Sequence, residues 1–262
     1  MPTTYAHNVF GEAVLKRLPA ELQDIVSENS MAYRLGLHGP DVLFYYKPFG
    51  KNPVSDLGSR LHKEEARGLF MRCKELLGQD GDPALLAYTI GFICHFMLDS
   101  SCHPFIGAYM EKTGARHDEI ETEFDRVLME KNGKNPMTFR PADFIRTDAG
   151  TLRVMARVLE PVTEKELRHG LRGMKFYTGV VVRPTGIGRK GLLRIMKIFR
   201  IYESMQGRVI RKKPLNRCMD SSRELLKLFR LSVPETVTVI EDYFCTLQDP
   251  TYLNARFDRN FE

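Results

Sequence analysis

The sequence predicts an all-α protein, a bundle of roughly eight to eleven helices. Apolar residues recur three to four positions apart through almost the whole 262-residue chain, which is the spacing of helices that bury one face. Clusters of glycine and proline separate these segments. The stretch 179–188 could be a strand or a loop, and we interpret it as a flexible connection. We expect a single domain, 1–262, with a metal-binding part at about 1–130 and a basic helical part at about 150–262.

The predicted helices follow one another with short interruptions. Their ranges are 9–18, 21–37, 61–77, 83 to about 101, 116–130, 149–159, 163–174, 189–202, 220–230 and 234–247, with a loop at 45–55 and a loop plus a short helix at 136–145. Asp82 and Pro83 are typical of an N-cap and a first helical position. Because Pro104 disfavours helical geometry at His103, we predict that the helix from Pro83 ends near Ser101.

Charge is distributed unevenly along the chain. The net charge is +6, and residues 168–213 contain thirteen lysines and arginines but a single acid, Glu203. That segment therefore carries +12, and the rest of the chain carries −6. A basic block on an otherwise acidic chain predicts an anionic partner, such as a membrane surface, a nucleic acid or an acidic substrate.

Several protein classes are disfavoured by composition. The five cysteines are an odd number and contain no CxxC pair, which favours reduced thiols over a disulfide framework. The first residues show no basic and apolar regions of a secretory signal, and there is no run of about 18 uncharged apolar residues that would predict a transmembrane helix. We expect a cytoplasmic protein, with the possibility of peripheral membrane contact.

Two short segments carry a pattern typical of metal sites. His95, Asp99 and His103 are four residues apart, which places an imidazole, a carboxylate and a second imidazole on one helical face. His117 and Glu121 repeat the spacing on the next helix. The surroundings of His95 are almost wholly apolar, so ionisable groups there need a compensating partner. Such residues are the ligands of hydrolytic zinc sites, and two helices with scattered polar groups are the alternative.

Three further candidates precede these residues in the chain. His7 lies close to the first residue, Asp41 follows the helix-breaking pair 39–40, and His62 is expected to begin the helix at 61–77. Together, the candidates occur in the order His, Asp, His, HxxxD, His, HxxxE. This order resembles that of the zinc-dependent phospholipase C family, which includes the P1-type nucleases, over roughly residues 1–125.

The resemblance implies an all-α fold with two or three zinc ions. It implies one zinc at Asp41, His62, His95 and Asp99, a second at His103, His117 and Glu121, and a third at His7 with Asp99 as a bridge. Secreted members supply an N-terminal tryptophan to the third ion, but this chain has no tryptophan. We expect removal of Met1 to expose Pro2, whose amine and carbonyl oxygen would take that place. Asp41 is the expected catalytic proton acceptor.

The function implied by the resemblance is hydrolysis of a phospholipid or a related phosphodiester. The helix at 189–202 has cations opposite apolar residues, as in a helix lying on an anionic membrane, although a core-packed helix has the same layout. The alternatives are a single-strand nuclease, whose basic block would bind nucleic acid, and a non-catalytic metal-stabilised interaction module. We interpret His38 as a loop histidine without a special role, with a position that supports the ligands as the alternative, and Lys63 as part of a solvated face.

Overall fold

The computed structural model describes residues 4–182, 186–198 and 206–262, and within these ranges the chain forms helices and no strand. The all-α prediction is confirmed. The described residues form eleven α-helices and four short 3-10 helices. The α-helices are α1 (Thr4–Leu15), α2 (Ala20–Glu28), α3 (Ser30–Gly36), α4 (Pro53–Lys63), α5 (Arg67–Asp80), α6 (Pro83–Thr113), α7 (His117–Lys131), α8 (Ala149–Val158), α9 (Glu164–Val181), α10 (Gly186–Ile198) and α11 (Met219–Cys245). The 3-10 helices are Gly39–Tyr45, Gln206–Arg208, Asn216–Cys218 and Ala255–Asp258.

Some predictions concern positions outside the described residues. These are the prediction for Pro2, the middle of the connection at 179–188 and the last residues of the helix at 189–202. Apart from Val182, the described part of the connection is helical, because α9 continues to Val181 and α10 begins at Gly186.

Helix α6 is the centre of the fold. Its N-terminus is capped as predicted, because the Asp82 side chain accepts a hydrogen bond from the Ala84 amide at 2.9 Å, and it ends at the left-handed Gly114. Every residue from Leu85 to Ser100 is buried. By length and composition, α6 is the one helix in the described ranges that could cross a membrane, but 94% of its apolar window is buried within the protein. A helix that is apolar all round is typical of a core position.

Helix α3 crosses α6 at two glycines. A Cβ atom on Gly36 would collide with the α6 backbone, and one on Gly91 would collide with the α3 backbone. The two backbones therefore approach more closely than larger residues would allow. This contact brings the carbonyl oxygen of Leu37 to 3.2 Å from Nδ1 of His95, so the core packing also orients a candidate ligand.

The predicted end of α6 near Ser101 is wrong. The helix continues through Pro104 to Thr113, and His103 lies within it rather than at a frayed end. Tertiary contacts on both sides of the proline explain the difference. Nδ1 of His103 is 2.5 Å from the carbonyl oxygen of Phe261, and Ile106 is buried in the core. Packing of this kind overrides a local preference.

The predicted helix at 61–77 is also wrong, because the chain breaks between α4 and α5. Glu64 has extended backbone angles, and the amide of Ala66 donates to the carbonyl oxygen of Arg259 at 2.9 Å. His62 therefore lies in the last turn of α4 and does not begin a helix. The break results from a contact with a segment almost 200 residues away, which local periodicity does not reveal.

Two further boundaries differ from the prediction. The segment 21–37 is interrupted at Asn29, whose side-chain amide donates to the carbonyl oxygen of Ile25 at 3.0 Å. Conversely, 220–230 and 234–247 belong to one helix, α11, which contains Pro234. Buried residues on both sides of this proline, Val233 and Thr236, lie on the helix that packs against α6.

Residues 253–262, which we term the strap, cross the helices that carry the candidate ligands. The amide of Phe261 donates to the carbonyl oxygen of His62 at 3.2 Å. Phe257 and Phe261 are fully buried, and the Phe261 ring centroid is 5.8 Å from that of His95. The strap therefore encloses the core beside α4 and α6.

Candidate metal centre

Five elements bring the predicted ligands together. Helix α6 presents three of them on one face because they are four residues apart, and the others come from α1, the 3-10 helix at Gly39–Tyr45, α4 and α7. The side chains form three clusters in which the candidate ligand atoms lie within 4.8 Å of one another. The clusters are His7, His95 and Asp99; Asp41, His62 and His95; and His103, His117 and Glu121.

The cluster of Asp41, His62 and His95 is oriented by backbone carbonyl groups. Nδ1 of His62 donates to the Gly58 carbonyl oxygen at 2.7 Å, and Nδ1 of His95 faces the Leu37 carbonyl oxygen. In these tautomers, each Nε2 atom carries a lone pair available to a metal. Nε2 of His62 lies 3.1 Å from Oδ1 of Asp41.

Asp99 lies between two histidines in the second cluster. Its Oδ1 is 3.2 Å from Nε2 of His7, and its Oδ2 is 3.3 Å from Nε2 of His95. The two imidazole rings stack with centroids 4.4 Å apart. The resemblance grouped Asp99 with Asp41, His62 and His95 and also made it the bridge to the site of His7. Its two oxygens contact His95 and His7, and a carboxylate in this position can serve two neighbouring metals.

The third cluster forms where α6 and α7 approach each other. Nε2 of His103 and Nε2 of His117 lie 3.4 and 2.8 Å from the same atom, Oε1 of Glu121. Nδ1 of His103 faces the Phe261 carbonyl oxygen, which leaves Nε2 directed into the cluster. Asp99 and His103 are only one helical turn apart, and His103 still takes part in a separate triad because α6 stays helical and α7 supplies the other two residues.

Several buried ligand atoms in these clusters lack hydrogen bonds. They are Nδ1 of His7, Oδ2 of Asp41, Nε2 of His95 and Oε2 of Glu121. A buried polar atom without a partner costs about 1–3 kcal/mol, so this number of them in one region indicates a missing charge partner. Imidazole nitrogens and carboxylate oxygens at mutual distances under 5 Å form a donor set suited to zinc. These residues therefore fit the zinc ions that the family resemblance implied.

The carboxylates of the clusters are held in their ionised form. Burial would raise the pKa of Asp41 and Asp99, but the surrounding histidines, His95 foremost, outweigh burial and lower both pKa values. Burial would likewise raise the pKa of Glu121, but His117 and His103 lower it well below its usual value. Ionised carboxylates are the form that binds a cation.

The two histidines of α6 differ in their electrostatics. Burial lowers the pKa of His95 to about 4, although Asp99 opposes this change, so His95 is neutral at physiological pH. For His103, burial also acts to lower the pKa, but Asp99 and Glu121 outweigh it and raise the pKa to about 9. Zinc binding at His103 must therefore displace a proton.

An open cleft lies beside these clusters. Its lining residues are Phe44, Ser59, His62, Lys63, His103, Gly107, His117 and Glu262. His117 is the most accessible candidate ligand, with 38% of its side chain exposed. Lys63, which the sequence placed on a solvated face, is exposed and also lines this cleft, as does Glu262. The cleft therefore combines candidate ligands with a cation and can admit an anionic ester.

The sequence missed several residues that shape the centre. His38 lies in the turn before the 3-10 helix, as the interpretation as a loop residue implied, but it is fully buried next to the centre with both ring nitrogens unpaired, which favours the alternative that it supports the ligands. Gly39 has a φ of +45°, and a Cβ atom there would collide with the His95 ring. Asp125 accepts the amides of Tyr5 and Ala6 at 3.1 and 2.8 Å and so fixes the start of the helix that carries His7. The pair 38–39 was visible as a helix break, but its burial was not.

The fold and the clusters define an all-α protein with a shared histidine and carboxylate centre next to an open cleft. The family model described as zinc dependent phospholipase C matches residues 6–166, which is more than half of the chain. The chain belongs to the zinc-dependent phospholipase C family. All eight side-chain candidates, from His7 to Glu121, lie within the matched range, whereas Pro2 and the strap lie outside it. Comparison with the curated proteins and with the solved structures finds no match.

Proposed function

We propose that this protein is a zinc-dependent hydrolase that cleaves a phosphodiester bond, with a phospholipid as its substrate. The observation that carries the proposal is the assembly of three ligand clusters from five elements, with unpaired buried ligand atoms, beside an open cleft. Membership of the zinc-dependent phospholipase C family supports the same chemistry. The residues would hold two or three ions. When bound, zinc supplies Lewis acidity and lowers the pKa of water in the site.

Asp41 is the proposed proton acceptor. Its Oδ1 lies 3.1 Å from Nε2 of His62, whereas its Oδ2 is buried without a hydrogen bond. Because its pKa is lowered, the carboxylate is ionised at neutral pH. We propose that Oδ2 takes the proton of the water that attacks the phosphorus, while the ammonium group of Lys63 attracts the anionic ester to the cleft.

Helix α10 is the proposed site of contact with an anionic membrane, as the sequence predicted for 189–202. Lys190 and Arg194 are exposed, and Ile195 and Ile198 expose 53% and 69% of their surface. Exposed cations and apolar side chains on one helix support binding at a lipid interface. A cytoplasmic location is part of the same proposal; the odd number of cysteines without a CxxC pair supports it.

The proposal is tested with protein stripped of metal by a chelator and then titrated with zinc. Each sample is assayed with a chromogenic phosphodiester, with phospholipid vesicles and with a single-stranded oligonucleotide. We expect activity to rise with zinc content and to release the phosphorylated head group from phospholipid. Faster cleavage of the oligonucleotide would favour the nuclease instead, and bound zinc without any turnover would favour the interaction module. Asp41→Asn should retain the fold and lose turnover.

A further inference from the structure

Three aromatic side chains from two elements form a cluster on the surface. Phe49 and Phe176 expose 59% and 63% of their surface, and they are among the most exposed large apolar residues in the described ranges. Both rings contact Tyr177, with centroid distances of 5.7 and 5.2 Å. Single exposed apolar residues are ordinary, but a contiguous group of them indicates a contact surface. We term Phe49, Phe176 and Tyr177 the aromatic surface.

Hydrogen bonds fix the conformation of the loop that carries Phe49. The side-chain amide of Asn52 donates to the carbonyl oxygens of Tyr46 and Gly50 at 3.2 and 3.0 Å, and its oxygen accepts the amide of Ser55 at 3.0 Å. Lys47 has a φ of +46°, a conformation that costs free energy for any residue other than glycine. The loop therefore holds Phe49 outward at an energetic cost, where an unconstrained loop could turn it inward.

Helix α9 is fixed against the beginning of this loop. A Cβ atom on Gly173 would lie 2.5 Å from the carbonyl oxygen of Tyr45, so the helix and the loop are in close backbone contact. The ring of His169 also contacts that of Tyr46, at 5.1 Å between centroids. The relative positions of Phe49 and Phe176 are consequently set by packing, and the two side chains form one surface.

The two segments that carry the aromatic surface hold cations and no acid, although Glu166 of α9 lies near Lys47. The loop 46–52 contributes Lys47 and Lys51, and the part of α9 from Arg168 onward contributes Arg172 and Lys175; neither segment contains an acidic residue. The side chains of these four residues, Lys47, Lys51, Arg172 and Lys175, are exposed. Aromatic side chains surrounded by lysine and arginine match the interface of an anionic bilayer, where rings enter the head-group region and cations meet lipid phosphates.

The surface is connected to the candidate metal centre through the chain. The loop 46–52 joins the 3-10 helix that carries Asp41 to α4, which carries His62. We propose that Phe49, Phe176 and Tyr177, with their flanking cations, form an interfacial surface that docks the protein on an anionic phospholipid bilayer. The proposal rests on the proposed lipid substrate. Tyr177 also lines a cavity together with Glu121 of the third cluster, which places the aromatic surface near that cluster in space.

The test measures sedimentation of the zinc-loaded protein with vesicles of pure phosphatidylcholine, and with vesicles of three parts phosphatidylcholine to one part phosphatidylserine. Phe49→Ala/Phe176→Ala removes the exposed rings. Leu231→Ala is the control for loss of an exposed apolar side chain, because Leu231 exposes 61% of its surface on α11, a helix that carries no residue of the aromatic surface. Ile195→Ala/Ile198→Ala examines α10 in the same way. Turnover of a soluble chromogenic phosphodiester is recorded for every variant.

We expect the native protein to prefer the anionic vesicles and the double phenylalanine variant to bind them about tenfold more weakly. The Leu231 variant should bind as the native protein does, and soluble turnover should be unchanged in both. Unchanged vesicle binding of Phe49→Ala/Phe176→Ala would overturn the proposal, as would a loss confined to the α10 variant. If Phe49→Ala/Phe176→Ala retains vesicle binding but loses oligonucleotide binding, the aromatic surface binds nucleic acid and the proposal is overturned. If the variant retains vesicle binding but no longer forms a dimer, the surface binds a second copy of the chain and the proposal is again overturned.

The vesicle result and the proposed function fail in different ways. If the native protein binds anionic vesicles through this surface but hydrolyses no phosphodiester, the surface is supported and the proposed hydrolase is wrong. If it hydrolyses the soluble ester but does not sediment with anionic vesicles, the hydrolase is supported and the surface is wrong.

Discussion

Replacing Phe261 with alanine should destabilise the protein and reduce its zinc content. The ring is fully buried and lies between the core and the candidate centre, with its centroid 5.1 Å from that of Phe96, 5.5 Å from His62 and 5.8 Å from His95. Truncation of a buried phenylalanine costs about 3–5 kcal/mol. The cavity would open beside two candidate ligands, so the effect should extend beyond stability.

The strap also acts through its backbone. The Phe261 carbonyl oxygen accepts from Nδ1 of His103, and its amide donates to the His62 carbonyl oxygen. A strap that detaches after loss of the ring would leave His103 without the partner that fixes its tautomer. Removal of such a partner typically costs 10–100-fold in metal affinity. We therefore expect zinc at the third cluster to be lost first.

The assay combines urea unfolding, with and without a chelator, and zinc analysis of the purified variants. Phe261→Leu is the control, because it retains an apolar side chain and the backbone contacts and should cost less than about 1.5 kcal/mol. A change of less than about 1 kcal/mol in Phe261→Ala, together with full zinc content, would refute the role assigned to the strap.

Four further predictions concern the centre itself. Asp99→Asn should remove at least one equivalent of zinc and abolish phosphodiesterase activity, and unchanged metal content would disprove bridging by Asp99. Gly39→Ala should destabilise the protein by more than about 1 kcal/mol, measured by urea unfolding, because its φ is positive and its Cβ atom would collide with the His95 ring; equal stability would contradict this placement. In the zinc-free protein, the pKa of His103 is raised to about 9. The protonated ring should therefore stabilise the fold fully below about pH 6.5, and this stabilisation should be lost as the pH rises to 9. The pH dependence should be absent from His103→Gln. Intact mass should show loss of Met1, and an extension before Pro2 should reduce zinc content; full content in the extended protein would exclude the N-terminus as a ligand.

The fold class was predictable because it depends on local periodicity. Residues that share a helical face, such as His95, Asp99 and His103, can be identified from their spacing alone. The residue types and their order were also sufficient to indicate the family. What spacing cannot reveal is whether a proline ends a helix, since the outcome at Pro104 depends on contacts with residues far away in the chain.

The architecture around the ligands was the part that sequence reasoning missed. The carbonyl oxygens of Gly58, Leu37 and Phe261 orient three histidines, but a carbonyl group is present at every residue and carries no sequence signal. The burial of His38 was equally invisible, because a histidine between glycine and leucine is typical of a loop. The strap was predicted neither as an element nor as part of the centre, since it has no helical periodicity.

Two alternative sources of positive charge can compensate the same buried carboxylates. In the zinc-free protein, Asp99 raises the pKa of His7 and of His103, and Asp41 raises that of His62, although burial opposes each change. A histidine with a raised pKa stabilises the fold below its unfolded pKa, and this contribution disappears as pH rises through the folded value. Bound zinc carries positive charge even when those histidines are neutral. At higher pH, zinc therefore replaces the histidine protons as the charge that compensates the buried carboxylates. It follows that the loss of stability on removing zinc should grow from about pH 6 to pH 9. Equal stabilisation by zinc across that range, measured by urea unfolding, would show that the histidine protons do not support the zinc-free fold.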